Sequence, residues 1–121
     1  MPTPIRVAAV GDVHCAEPLR ERITRAFAAL AGNTDLVLLA GDLTTHGLPE
    51  QAQVLADACR GLELPIVAVL GNHDHHSGRA EEIVEVLESA GIRVLDRSSV
   101  ILEIGQLEVG IVGVKGFVGG F

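Results

Sequence analysis

The sequence is poor in aromatic residues and in positive charge. It contains no tryptophan or tyrosine, only three phenylalanines, and a single lysine, Lys115. Proteins that bind single-stranded nucleic acids stack bases on aromatic rings, and neutralising phosphates requires a surplus of Lys and Arg. Here 9 Lys and Arg are outnumbered by 16 Asp and Glu, which gives a net charge of −7. The composition therefore argues against nucleic acids and anionic membranes as partners.

Long hydrophobic runs and a cysteine framework are also missing. No stretch reaches the roughly 20 apolar residues that a membrane-spanning helix needs. The first four residues lead into a short apolar run without a basic or hydrophobic leader. The two cysteines, Cys15 and Cys59, do not have C-x-x-C spacing. We therefore expect free thiols, a cytoplasmic location and no membrane association.

Three short apolar runs divide the first part of the chain, at residues 5–10, 36–40 and 65–70. Runs of this kind predict strands that are buried on both faces of a parallel sheet. Apolar residues recur with helical spacing in the segments that follow, which predicts helices at about 18–30, 49–61 and 77–90. The resulting β-α-β-α-β-α order predicts right-handed crossovers.

Residues 100–113 have a different pattern, in which apolar residues alternate with Glu103 and Glu108 around Gly105 and Gln106. This alternation predicts an antiparallel hairpin with a two-residue turn. The fold class is therefore α/β, a largely parallel sheet with flanking helices plus a hairpin. We expect residues 1–121 to form a single domain.

A polar residue follows each of the three predicted strands and a glycine: Asp12, Asp42 and Asn72, at intervals of thirty residues. The carboxyl ends of parallel strands meet at one edge of the sheet, so these side chains should converge there. His14 and His73 add two imidazoles nearby. Carboxylate, amide and imidazole ligands suit Mn²⁺, Fe or Zn²⁺. A central carboxylate can bridge two ions about 3.5–4 Å apart.

Other roles are open to the same residues. Aspartates after strands often cap helices, asparagine is common in turns, and a single histidine is often a hydrogen-bonded core residue. We favour ligation for both aspartates, Asp12 and Asp42, and for His14, because the Asp-x-His spacing places the side chains of Asp12 and His14 on one face of an extended segment. For Asn72 a turn would be the better interpretation by itself, and its neighbours favour ligation. For His73 the chemistry alone leaves ligand, acid and substrate contact open. Asp74 is expected to brace its loop.

Three segments of the chain resemble the first three signature blocks of the calcineurin-like metallophosphoesterase family: Gly11-Asp12-Val13-His14, Gly41-Asp42 and Gly71-Asn72-His73-Asp74. The resemblance implies the N-terminal part of a four-layer α/β/β/α sandwich with two divalent metal ions. It implies that Asp12 and His14 bind one ion, that Asp42 bridges, and that Asn72 binds the second. His73 would be the general acid while a metal-bound hydroxide attacks phosphorus.

The sequence also departs from the family pattern. Similar proteins carry later Gly-His and Gly-His-x-His blocks, whereas this sequence has no histidine beyond residue 76. We expect a chain truncated at its C-terminus and inactive alone. A second copy, in a homo-oligomer, or another fragment is the alternative source of ligands. Asp42 is followed by Leu-Thr-Thr-His-Gly, where the protein phosphatases of the family have Asp-Arg-Gly. This points to small phosphate mono- or diesters as substrates.

Two functions follow from these patterns. The first is a dinuclear metal-dependent phosphoesterase, either a phosphodiesterase or a phosphomonoesterase, that acts on a small substrate. The second is a non-catalytic half-domain with weak or single metal binding, which serves as an assembly module. His75 and His76, next to His73, are expected to lie in a solvated loop, and they are the remaining candidates for replacement ligands.

Overall fold

The computed structural model describes residues 3–115. Besides two short 3-10 helices, the chain forms within that range three α-helices and six β-strands. In chain order they are β1 (Val7–Val10), α1 (Arg20–Ala28), β2 (Leu36–Ala40), α2 (Pro49–Arg60), β3 (Ile66–Val69), α3 (Ala80–Ser89), β4 (Ile92–Val94), β5 (Ser98–Ile104) and β6 (Leu107–Gly113). None of these helices has the length and apolar character needed to cross a membrane.

Strands β1 to β4 form a parallel sheet in which spatial order equals chain order. Each crossover therefore moves one strand in the same direction, and right-handed crossovers then place all three helices on one face. The core on that face contains Val37 and Leu39 of β2 together with Leu55 of α2 and Ile83 of α3, all buried. The predicted α/β class with a parallel sheet is confirmed.

The opposite face of the sheet is covered by the antiparallel hairpin of β5 and β6. Leu36 of β2 and Val67 of β3 point to this face, where they pack with Ile104, because successive residues of a strand point to opposite faces. Gly105 and Gln106 form the predicted two-residue turn between the paired ends Ile104 and Leu107. The φ of +60° at Gly105 is what a type II′ turn requires of its first central residue.

Three details of the predicted architecture were wrong. Strand β1 is not buried on both faces: the side chains of Val7 and Val10 are 51% and 38% exposed, because β1 is an edge strand of the described sheet. Strand β4 was not predicted, since it has only three residues and Arg93 interrupts its apolar pattern. Helix α3 begins at Ala80 rather than at residue 77, because Gly78 has a φ of +68° that no α-helix accommodates.

Core packing on the helical face predicts a large cost for truncating Leu39, which is 2% exposed. We expect Leu39→Ala to lower the free energy of unfolding by about 2–5 kcal/mol, because it removes buried methyl groups and leaves a cavity. The matched control is Ile101→Ala on the outer surface of the hairpin, where the side chain is 70% exposed and the expected change is within about 0.5 kcal/mol. Urea unfolding followed by circular dichroism measures both values, and equal losses would contradict this assignment of the core.

Candidate metal centre

The carboxyl edge of the parallel sheet brings together three residues that the sequence predicts as metal ligands. Asp12 and His14 follow β1, and Asp42 follows β2. Each offers one ligand atom, and these atoms all lie within 4.8 Å of one another. His14 Nε2 and Asp12 Oδ1 are 3.8 Å apart. Two ligands of one ion at bond lengths of about 2.0–2.2 Å lie at comparable separations, so these residues fit a divalent transition-metal ion.

The backbone at all three residues has left-handed torsion angles. The φ angles are +55° at Asp12, +49° at His14 and +48° at Asp42. Such conformations are uncommon outside glycine, although Asp, Asn and His adopt them more readily than other residues do. The predicted reason for the proximity of Asp12 and His14, an extended segment, is therefore wrong. Their side chains are neighbours because the chain turns at both residues.

Hydrogen bonds between neighbouring loops stabilise this conformation. The amide of Asp12 donates to the carbonyl oxygen of Gly41 at 3.2 Å, and the amide of His14 donates to that of Asp42 at 3.0 Å. The Thr45 hydroxyl donates to the carbonyl oxygen of His14 at 3.0 Å. Each left-handed residue costs about 1–3 kcal/mol, which the surrounding contacts must offset. Strained backbone of this kind concentrates at functional sites.

Two glycines allow the loops after β2 and β3 to approach closely. A Cβ atom at Gly71 would overlap the backbone nitrogen and the Oδ1 of Asp42, and one at Gly41 would lie 3.3 Å from the Cα of Gly71. Glycine is needed at position 71 because another ligand residue, rather than the metal, occupies the space beside it. The backbone of one loop thereby fixes the carboxylate of the other.

The fully buried carboxylate of Asp74 connects the same two loops. Its oxygens accept hydrogen bonds from the amides of Leu43 (3.0 Å), Thr44 (2.8 Å) and Gly71 (2.8 Å), and from the Thr44 hydroxyl (2.7 Å). A buried charge is tolerated when its hydrogen-bonding capacity is satisfied in this way. Asp74 therefore braces the loops, as predicted, and its oxygens do not face the metal ligands' shared space.

His73 is fixed against Asp42 and His14. Its amide donates to Asp42 Oδ1 at 2.9 Å, and its Nδ1 lies 2.8 Å from the carbonyl oxygen of Thr45. A carbonyl oxygen only accepts hydrogen bonds, so Nδ1 carries the proton and Nε2 is left for other partners. The rings of His73 and His14 make an edge-to-face contact with centroids 4.7 Å apart.

Asn72 follows β3 at the same edge of the sheet but makes a different contact. It is exposed, and its Oδ1 accepts a hydrogen bond of 2.7 Å from Nζ of Lys115. Asn72 and Lys115, together with Gly41 and Asp42, line a shallow cavity of ≈ 230 Å³ at the ends of β2 and β3. Asn72 is thus beside the group of three, and its amide oxygen is bonded to a cation.

A family model for calcineurin-like phosphoesterases matches residues 5–117. The chain belongs to the calcineurin-like phosphoesterase family. None of the curated protein sequences compared with it gives a significant match. Enzymes of this family hydrolyse phosphoesters with divalent metal ions, and the group of Asp12, His14 and Asp42 at the carboxyl edge of the sheet could hold such an ion.

His46, His75 and His76 lie outside the group of candidate metal ligands. His46, His75 and His76 are exposed, and the rings of His46 and His76 are 6.5 Å apart in a tilted arrangement. Within residues 3–115, the group of carboxylate and imidazole ligands includes neither His75 nor His76. The structure therefore gives no support to these two as replacement ligands.

Sequence reasoning missed two contacts at the candidate metal centre. The carbonyl oxygen of Thr45 orients His73, and a backbone atom leaves no signal in residue identity. Lys115 reaches Asn72 across 43 residues of sequence. Its only signal was that it is the single lysine of the chain, and nothing in the sequence predicts which residue it contacts.

Gly71→Ala tests the close approach of the loops after β2 and β3. We expect a loss of about 1–3 kcal/mol in the free energy of unfolding, because the new methyl group overlaps Asp42, and weaker Mn²⁺ binding because the carboxylate must move. The matched control is Gly61→Ala, where a Cβ meets no atom within 4 Å. Urea unfolding and calorimetric Mn²⁺ titration measure both effects, and a Gly71→Ala variant that equals the Gly61→Ala variant would contradict the prediction.

The raised pKa values of the two cysteines predict how the free energy of unfolding changes at alkaline pH. Both are buried, and burial raises the pKa of Cys15 and of Cys59 to about 12. The unfolded chain, with thiol pKa values of about 8.5, then holds fewer protons than the folded chain between about pH 9 and 12. The free energy of unfolding should therefore fall as the pH rises through this range.

The control for this pH dependence is the double variant Cys15→Ala, Cys59→Ala, which should lose most of the alkaline slope. The test is sharp because the sequence contains no tyrosine and one lysine, so few other groups titrate there. Urea unfolding at a series of pH values provides the measurement. A slope that persists in the double variant would assign the effect to other groups.

Proposed function

We propose that the chain hydrolyses phosphate mono- or diesters with two divalent metal ions, Mn, Fe or Zn. Asp12 and His14 are ligands of one ion, Asp42 is shared, and Asn72 is a ligand of the second. The observation that carries the proposal is the convergence of Asp12, His14 and Asp42 within 4.8 Å at the carboxyl edge of the sheet. The strained backbone at these residues supports a functional role for the group.

His73 is the proposed general acid. When bound, divalent ions supply a nucleophilic water of lowered pKa and neutralise charge on the phosphoryl oxygens. The proton for the departing oxygen must come from a positioned side chain. The carbonyl of Thr45 fixes the proton of His73 on Nδ1, so Nε2 is the nitrogen that can exchange a proton with the leaving group. The bond from the His73 amide to Asp42 Oδ1 positions this acid relative to the shared ligand.

The proposed substrate is a small phosphoester. The cavity lined by Asp42, Asn72 and Lys115 is next to a larger one of ≈ 570 Å³, and the two share Leu70 and Lys115. The larger cavity has the size of a small-molecule site. Glu81 and Glu85 contribute to its lining, which disfavours a second anionic group on the substrate. We also propose that the protein works in the cytoplasm, where free buried thiols such as Cys15 remain reduced.

Two substitutions in the full-length protein test this mechanism. Asp42→Asn should reduce Mn²⁺-dependent hydrolysis of bis(p-nitrophenyl) phosphate by more than 10³-fold, on the order of several kcal/mol of transition-state stabilisation. His73→Gln should slow esters of poor leaving groups, such as alkyl alcohols, by about 10²–10⁴-fold, and p-nitrophenyl esters much less, since p-nitrophenolate leaves without a proton. Steady-state rates across a leaving-group series provide the measurement.

The matched control for His73 is His76→Gln, which changes an exposed histidine of the same loop and should leave the rates unchanged. Activity that survives Asp42→Asn would refute the shared-ligand role. A uniform loss across the leaving-group series for His73→Gln would assign His73 to binding rather than to proton transfer.

A second candidate function is a non-catalytic half-domain that binds one ion and serves as an assembly module. One observation favours it: residues 3–115 contain a single group of three clustered carboxylate and imidazole ligands, and the amide oxygen of Asn72 is bonded to Lys115. The two functions differ in metal stoichiometry, which elemental analysis measures. The enzyme requires two ions per chain, whereas the module binds one or none and shows no turnover.

A further inference from the structure

The ammonium group of Lys115 occupies a position at the site that the proposed mechanism does not use. Lys115 lies two residues after the end of β6 at Gly113. Its Nζ donates to Asn72 Oδ1 at 2.7 Å. The contact joins the end of the hairpin to the loop after β3, so it depends on the packing of the hairpin against the sheet rather than on local sequence.

The Lys115 ammonium donates a hydrogen bond to Asn72 Oδ1, the atom that would bind the second metal ion. Asn72 has one amide oxygen that can bind a metal ion. Its NH2 group is a hydrogen-bond donor and cannot serve as a ligand. Lys115 and Asp42 both line the cavity at Asn72. A positively charged ammonium on this oxygen neutralises part of the negative charge of the edge, and it repels a divalent cation that approaches the same oxygen.

We propose that Lys115 is a resident cation that competes with the second metal ion for the amide oxygen of Asn72. This inference rests on the proposed function, in which Asn72 is a ligand of that ion. The ion at Asp12 and His14 does not need the amide oxygen to which Lys115 donates, because Asp12, His14 and Asp42 together offer three ligand atoms within 4.8 Å of one another. The second ion binds only when the ammonium leaves Asn72. The two ions therefore bind with unequal affinity, and the position of Lys115 sets the difference.

Lys115→Met tests this competition, because it keeps an unbranched stem and removes the charge. In calorimetric titrations of the metal-free full-length protein with Mn²⁺, the dissociation constant of the second ion should fall by about tenfold or more, and that of the first ion should change by less than about threefold. The matched control is Arg60→Met, which also removes one positive charge. Arg60 ends α2, the helix that returns to the start of β3 at the opposite edge of the sheet, and this variant should leave both constants unchanged.

A second readout follows the lysine itself in the wild-type protein. Lys115 is acetylated with acetic anhydride under limiting conditions, and the peptide that contains it is quantified by mass spectrometry. Labelling should be several-fold faster with excess Mn²⁺ than with one equivalent, because the second ion releases the ammonium from Asn72. One equivalent should leave the rate close to that in EDTA.

The outcomes separate this inference from the proposed function. If two ions bind and Lys115→Met leaves the second constant unchanged, the competition is refuted and the two-ion mechanism stands. If wild type and variant both bind only one ion, the two-ion mechanism fails, and the competition fails with it. A labelling rate that does not respond to the second equivalent of Mn²⁺ also refutes the competition, whatever the binding constants.

Discussion

The buried carboxylate of Asp74 is the contact on which the arrangement of the site depends. Leu43, Thr44 and Gly71 all donate to it, so one side chain connects the loops that follow two neighbouring strands. Asp42 is adjacent to the first of these donors and Asn72 to the last. A buried anion without these donors would cost several kcal/mol, so the loops and the carboxylate stabilise one another. The positions of the ligand residues follow from this network.

Rigid loops also explain how three non-glycine residues retain left-handed backbones. Asp12, His14 and Asp42 would relax to ordinary torsion angles in an isolated peptide. In the folded chain, backbone hydrogen bonds between the loops after β1 and β2 prevent this. The fold thus stores strain at the point where ligand atoms must converge, and the helical core offsets the cost.

The parts of this architecture that depend on local patterns were predictable from the sequence. Strand β2 and the turn at Gly105 have their predicted positions. A fully apolar run favours a buried strand, and a glycine between two alternating segments favours a two-residue turn. The exposure of β1 was not predictable, since hydropathy does not indicate which strand forms an edge. The proximity of Asp12 and Asp42 was predictable, because each residue follows a strand of the same parallel sheet. The contact between Lys115 and Asn72 was not predictable, because it depends on how the hairpin packs against the sheet and no local sequence pattern indicates that packing.

The agreement between chain order and strand order has a consequence for how this protein forms during synthesis. Within residues 3–115, each new βα unit adds beside the one made just before it, and no later strand enters between two earlier ones. Pairing partners are about thirty residues apart, which keeps the loop-closure entropy of each addition small. Assembly can therefore proceed vectorially from the ribosome. The loops after β2 and β3 can be connected only after Asp74 has emerged, because its carboxylate accepts the hydrogen bonds from both.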